Sequence, residues 1–151
     1  MTRNHIELKI HKQFIEWCWT PQAHRWPDAV ITLPRKVRVG RRTIEVQAPT
    51  LAFFHPANGE ARDAKTGSLL HAMGVRRGIL DLWLPVPREE YCGLVLELKA
   101  PGKKMSPDQK TWTAFLKNVG WKVLAVYSFS ECVEETTRYL DMKTRGSDGK
   151  E

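Results

Sequence analysis

The chain has 151 residues, 42% hydrophobic and 27% charged, which suits one soluble globular domain large enough to bury a core. Its uncharged apolar runs are only a few residues long, so neither a membrane span nor a secretory leader is expected, and the expected location is the cytoplasm. Lys and Arg total 24 against 17 acids, a net charge of +7 that tilts the expected partner towards a polyanion such as nucleic acid. Cys18, Cys92 and Cys132 are scattered and lack zinc-site spacing, and they read as free thiols in a reducing compartment.

In chain order, Ile6, Ile10, Phe14 and Trp17 recur close to a 3.6-residue period, predicting an amphipathic helix over Asn4–Trp19 that Pro21 stops. Residues 21–49 are less regular. Val30–Leu33 and Val37–Val46 look extended, with Gly40–Arg41 as a turn between short strands. Arg25, Arg35, Lys36, Arg38, Arg41 and Arg42 cluster here against Asp28 and Glu45. Two readings stay open for them: a solvated hairpin, or an arm that lies along phosphates. Leu51–Phe54 reads as a short strand, His55–Gly67 as a polar loop, and Ser68–Met73 as a brief helix closed by Gly74. Ile79–Leu84 and Leu94–Lys99 are strand candidates, and the connector Pro85–Tyr91 makes their pairing the natural outcome. Ser106, Pro107 and Gln109 then form an N-cap, a first-turn proline and a capping box. Trp112, Phe115, Leu116 and Val119 follow on one apolar face, and Gly120 ends the helix. Lys122–Tyr127 reads as a buried strand, Ser130–Met142 as a last helix, and the tail from Lys143 as polar. The expected fold is a mixed α/β sheet with helices packed on it.

The chemistry concentrates in two of these strands. In Leu94–Lys99, alternation sends Leu94, Leu96 and Leu98 to one face and Glu97 with Lys99 to the other. Charges seldom enter such an apolar strand unless paired or bound to a metal. Asp81 is likewise a lone carboxylate in a hydrophobic run, and strand pairing would let it converge with Glu97. Two carboxylates close together repel unless a cation lies between them, and oxygen-only ligation suits Mg²⁺ or Mn²⁺. Such an arrangement can hydrolyse a phosphodiester, with Lys99 holding a water or stabilising charge on the phosphate. A structural ion pair of Lys99 with Glu97 or Asp81 explains the same pattern.

Asp81, then Glu97-Leu98-Lys99, then a helix bearing Gln109, resembles the PD-(D/E)XK nuclease superfamily. More narrowly it resembles the virus-type replication-repair nuclease (VRR-NUC) family in its small stand-alone phage form. The resemblance is carried by the lead-in Gly74–Asp81, the strand Gly93–Lys99, the helix start Ser106–Trp112 and the strand start Gly120–Val123. The loop Phe54–Gly59 and Glu7 also match. The family usually has proline before the aspartate, where this chain has Leu80; proline there shapes the backbone and supplies no ligand. The resemblance implies a restriction-endonuclease-like core over residues 1–142, with a basic insertion at about 21–49 and a polar tail at 143–151. It implies an Mg²⁺- or Mn²⁺-dependent endonuclease acting on DNA, as a homodimer cutting branched substrates such as four-way junctions, in a bacterial or phage-infected cell. Asp81, Glu97, the Leu98 carbonyl and Glu7 would bind metal, with Lys99 and Gln109 completing the catalytic set.

Several further residues are candidates. Gln109 is explained equally by its capping box, and one side chain cannot easily serve both purposes. Glu7 would otherwise be a solvent-facing carboxylate near a helix N-terminus. His55 is a candidate DNA contact, proton donor or metal ligand, and His11, one turn after Glu7, would share that helix face. Arg41, Arg42, Asn58, Arg62, Lys103 and Lys104 are candidate DNA contacts. Trp17, Trp83 and Trp112 read as core, while Trp19, Trp26 and Trp121 are candidates for base stacking. Two alternatives compete with a DNA nuclease: a catalytically silent binding module of the same fold, and an RNA-directed nuclease.

Overall fold

The computed structural model describes residues 5–56 and 64–146. The amphipathic opening segment forms α1 (His5–Cys18), and Pro21 starts a short 3-10 turn directly after it. The basic segment forms a hairpin of β1 (Val30–Val39) and β2 (Arg42–Leu51), turned at Gly40 with φ +60°. These strands are longer than expected, and β1 runs through Pro34. A two-stranded ribbon consists only of edges, so a residue lacking an N–H is tolerated there. The following helix, α2 (Ala64–Ala72), starts earlier than its apolar residues suggested.

The central sheet has the order β3 (Leu82–Leu84), β4 (Gly93–Leu98), β5 (Trp121–Val126). β3 and β4 are antiparallel; β4 and β5 are parallel, as their connection through α3 (Pro107–Asn118) requires. The last element is α4 (Phe129–Leu140). Every residue of β4 is buried, so both faces of the strand are covered. Leu94, Leu96 and Leu98 join Ile10 and Phe14 of α1 and Cys132, Tyr139 and Leu140 of α4 in the main core. Val95 points the other way, into a smaller cluster with Leu80, Leu116 and Val123. The result is a mixed α/β fold with helices on both faces of the sheet.

Three local expectations are corrected. β3 is only three residues long, because Ile79–Asp81 leave the ladder: Trp83 Nε1 donates to the Leu80 carbonyl at 3.0 Å, and the Asp81 N–H is taken by a side chain. The apolar stripe of α3 is only partly covered, with Leu116 buried but Phe115 and Val119 exposed. The helix packs on β5, the edge of a sheet three strands wide, which has too little area to bury the whole stripe. The segment Leu51–Phe54 is not a separate strand: Leu51 ends β2, and Phe54 makes a single bridge to Trp83.

Arg88, which no pattern in the sequence marks, is 2% exposed. Its guanidinium grips both carboxylate oxygens of Asp28 at 2.8 and 2.9 Å and donates to the carbonyls of Leu140 and Pro87. One side chain thus ties the entry to the hairpin, the β3–β4 connector and the end of α4. Cys18 and Cys132 are free and buried, and burial pushes both thiols up, Cys132 to about 12, which keeps them protonated and unreactive.

Candidate active site

The β3–β4 register pairs Leu82 with Leu96, so one further step sets Asp81 opposite Glu97. At this step the backbone ladder gives way to side chains. The Leu98 N–H donates to Asp81 Oδ2 at 2.9 Å, and the Asp81 N–H donates to Glu97 Oε2 at 3.2 Å. Each carboxylate is therefore aimed by a backbone amide belonging to the other's strand. The remaining Glu97 oxygen, Oε1, accepts from Lys99 Nζ at 2.7 Å and from Gln109 Nε2 at 2.6 Å. Glu97 is 1% exposed and Lys99 9%. Burial first, and the Asp81 charge second, push the Glu97 carboxyl up to about 7, against the opposing pull of Lys99.

Gln109 performs both tasks that had looked exclusive. Its Oε1 accepts the Ser106 N–H at 2.9 Å, and the Ser106 hydroxyl accepts the Gln109 N–H at 3.2 Å, closing the capping box. The amide nitrogen at the other end of the same group reaches Glu97. A primary amide carries acceptor and donor together, which a carboxylate at this position would not. The lead-in to Asp81 is held against this first turn of α3. Gly78 has φ +75°, and a Cβ there would lie 2.5 Å from Asp108 Cβ, so only glycine permits the approach. Trp112 Nε1 donates to the Arg77 carbonyl along the same seam.

On the opposite side α1 contributes. Glu7 Oε1 accepts the Ala100 N–H at 3.0 Å, immediately past Lys99. One turn later His11, 7% exposed, meets His55 edge to face with ring centroids 4.7 Å apart. His55 Nδ1 donates to the Asp81 carbonyl at 2.6 Å. One ring nitrogen of each histidine and an Asp81 carboxylate oxygen lie within 4.8 Å of one another. The expected signal for His11 was weak, because a histidine one helical turn from a glutamate is common; its neighbour is a loop residue far along the chain.

The structure thus brings together Asp81, Glu97, Lys99 and Gln109, bordered by Glu7, His11 and His55. Arg41 and Arg42 lie apart, exposed at the hairpin turn. Lys103 and Lys104 are exposed in the loop between β4 and α3. Asn58 and Arg62 fall outside the described residues. Trp26 and Trp121 serve packing: Trp26 is buried with Nε1 on Asp141, and Trp121 meets Trp83 edge to face at 5.3 Å.

A model of the VRR-NUC domain matches residues 53–130, just over half of the chain. The chain belongs to the VRR-NUC family. This is a nuclease family, and the VRR-NUC match takes in His55, Asp81, Glu97, Leu98, Lys99 and Gln109, while α1 with Glu7 and His11 and the basic hairpin precede it. A solved structure of a VRR_NUC domain protein is similar over 94% of this chain and 93% of its own, with TM-score 0.64 and 16% identity, a likeness of fold. No curated protein matches. Among the described residues, no helix is long and apolar enough to cross a membrane.

The donor set fits a hard divalent cation. Asp81 and Glu97 supply carboxylate oxygens, and burial first, with the neighbouring Asp81 charge second, disfavours a bare charge on Glu97, a cost that a bound cation would offset.

Proposed function

We propose that this VRR-NUC chain is an endonuclease that hydrolyses DNA phosphodiester bonds with Mg²⁺ or Mn²⁺. Asp81 and Glu97 would hold the ion, aided by the Leu98 carbonyl and Glu7. The observation that carries this reading is the reciprocal clamp between Asp81 and Glu97 beside the Lys99 ammonium. When bound, such an ion supplies Lewis acidity to a phosphoryl oxygen and acidifies a water. The protein's own part is orientation. Backbone amides and Gln109 fix the carboxylates before substrate arrives, so little reorganisation remains for the reaction itself. Lys99, held 2.7 Å from Glu97, can orient the attacking water and stabilise charge developing on the phosphate. Glu7 steadies the backbone just past the catalytic strand.

Lys103, Lys104, Arg41, Arg42, Asn58, Arg62 and His55 are the proposed DNA contacts, the basic ones acting on phosphates independently of sequence. The proposed domain spans residues 1–142, with the segment 21–49 as a basic addition and 143–151 as a tail, working in the cytoplasm. Branched DNA is the proposed substrate and a homodimer the proposed assembly, since paired cuts across a junction need two sites related by a twofold axis.

The test is cleavage of supercoiled plasmid, flap and four-way-junction DNA, and of matched RNA, with and without Mg²⁺ or Mn²⁺, beside Lys99→Ala. Metal-dependent DNA cutting that falls by a factor of about 100 or more in the variant is expected. Tight binding with no cutting under either metal would sink the proposal in favour of a silent module. Preferential cutting of RNA would redirect it.

A further inference from the structure

On the side of the proposed carboxylate site, Asp81 faces Glu97. Its other neighbours are two imidazoles, which oxygen-only ligation of Mg²⁺ does not call for. His11 is buried on α1, His55 follows the single bridge that Phe54 makes to β3, and the two rings meet at 4.7 Å beside the Asp81 carboxylate. In the 2.6 Å contact with the Asp81 carbonyl, Nδ1 of His55 must be the donor, because a carbonyl oxygen only accepts. The neutral ring then carries its lone pair on Nε2. Histidines that bind metals are commonly oriented this way, with the second ring nitrogen donating to a backbone carbonyl or carboxylate.

The spacing also suits an ion. Ligand atoms each held about 2.0–2.1 Å from one centre stand no more than about 4.2 Å apart. One ring nitrogen of each histidine and an Asp81 carboxylate oxygen already lie within 4.8 Å of one another, close to that limit. Two imidazoles and one carboxylate leave positions open for water or a phosphate oxygen, the pattern of open rather than structural sites.

We propose that His11, His55 and Asp81 form a second cation site, beside the carboxylate site, for imidazole-tolerant divalent ions such as Zn²⁺ and Co²⁺. It rests on the nuclease reading only in sharing Asp81. Mg²⁺ has no reason to prefer this position, so the two sites sort ions by ligand chemistry. The ion preference of the protein would then be divided across Asp81: oxygen-seeking ions towards Glu97, nitrogen-tolerant ions towards the histidines.

The test uses the full chain stripped of metal, titrated with Zn²⁺ and separately with Mg²⁺ by calorimetry, and ¹⁵N-labelled protein followed at the histidine rings during the Zn²⁺ titration. Ring signals of both His11 and His55 are expected to move while those of His5, His24 and His71 stay. His55 is exposed, so His55→Gln should fold and weaken Zn²⁺ binding by about tenfold or more, a larger loss than any it causes in Mg²⁺ binding. His11→Gln should behave alike, with its melting curve as the control for folding. Unmoved His11 or His55 signals at saturating Zn²⁺, or wild-type Zn²⁺ binding by His55→Gln, would overturn the proposal. Glu97→Gln separates the two ideas: it should lose Mg²⁺ binding and cleavage yet keep the Zn²⁺-induced histidine shifts. Normal cleavage by Glu97→Gln would remove Glu97 from the proposed metal site and leave the histidine result standing, whereas no cleavage by the wild type would sink the nuclease reading alone.

Discussion

Glu97 Oε1 lies between the Lys99 ammonium and the Gln109 amide while Oε2 is held by a backbone N–H, so this carboxyl group has little water to rely on. Its folded value of about 7 exceeds the ordinary 4.5, which means the folded protein retains a proton that the unfolded chain releases. Stability from this group is therefore complete below pH 4.5 and is lost as pH rises through about 7. Thermal melts of metal-free protein should fall across that window, and Glu97→Gln, which cannot ionise, should flatten the decline. A wild-type melting temperature that rises between those pH values, with no change of slope in the variant, would contradict the assignment. Gln109 offers a second test at this scale. Gln109→Ala loses the reciprocal half of the capping box and should cost about 1 kcal/mol in urea unfolding. Gln109→Glu keeps the cap but sets a second carboxylate against Glu97, so it should move the pH-dependent window upward, a readout that a purely capping role would leave unchanged.

Elements here are joined by a few polar anchors as well as by the core. The β3 strand stops at Leu82 because Asp81 and Glu97 exchange hydrogen bonds with backbone in place of ladder partners, so the shortness of the strand and the geometry of the site are one feature. Arg88 does comparable joining on the far side of the connector, holding Asp28 and the Leu140 carbonyl together. Arg88→Ala would strand a buried carbonyl and leave Asp28 partnerless but able to regain water. A loss of about 3 kcal/mol in denaturant unfolding is expected, with cleavage per folded molecule unchanged. A variant as stable as the wild type would mean that the buried pair contributes nothing net.

At the scale of the whole molecule, the hairpin stands outside the central sheet. Its register sets Ile31, Leu33, Val37 and Val39 of β1 on the same face as Ile44 and Val46 of β2, and Ile31, Leu33, Val39 and Ile44 are 39–58% exposed. The opposite face carries Lys36, Arg38, Glu45 and Gln47, which suits water or phosphates. Two-stranded ribbons are marginal alone, and an apolar face of this kind asks for a cover. A second copy suits it: Arg35 on that face is already paired with Glu16 at 2.7 Å, and Arg42 sits at the outer end of the face opposite Val39, so the apolar centre carries no unpaired charge. Light scattering on purified protein should give twice the monomer mass, and Ile31→Lys with Ile44→Lys should halve it while the fold persists. A monomeric wild type would remove the dimer and leave the active-site reading untouched.

Much of the architecture was legible because it follows from local chemistry. The period of α1, the cap and proline that open α3, the alternation of Leu94, Leu96 and Leu98 against Glu97, and the pairing of the two central strands all depend on residues close in sequence or joined by a short connector. The meeting of Asp81 with Glu97 belongs with these, since adjacent antiparallel strands bring it about. Other features had to wait for tertiary structure. His11 reaches His55 and Asp81 only when α1 packs against the end of the sheet. Gln109 serves cap and carboxylate at once only because Gly78 lets the lead-in loop close on α3. Arg88 finds Asp28 across a long stretch of chain. In each case the deciding quantity is a distance between groups remote in sequence, set by packing and by the need to satisfy every buried polar atom, and periodicity carries no information about it.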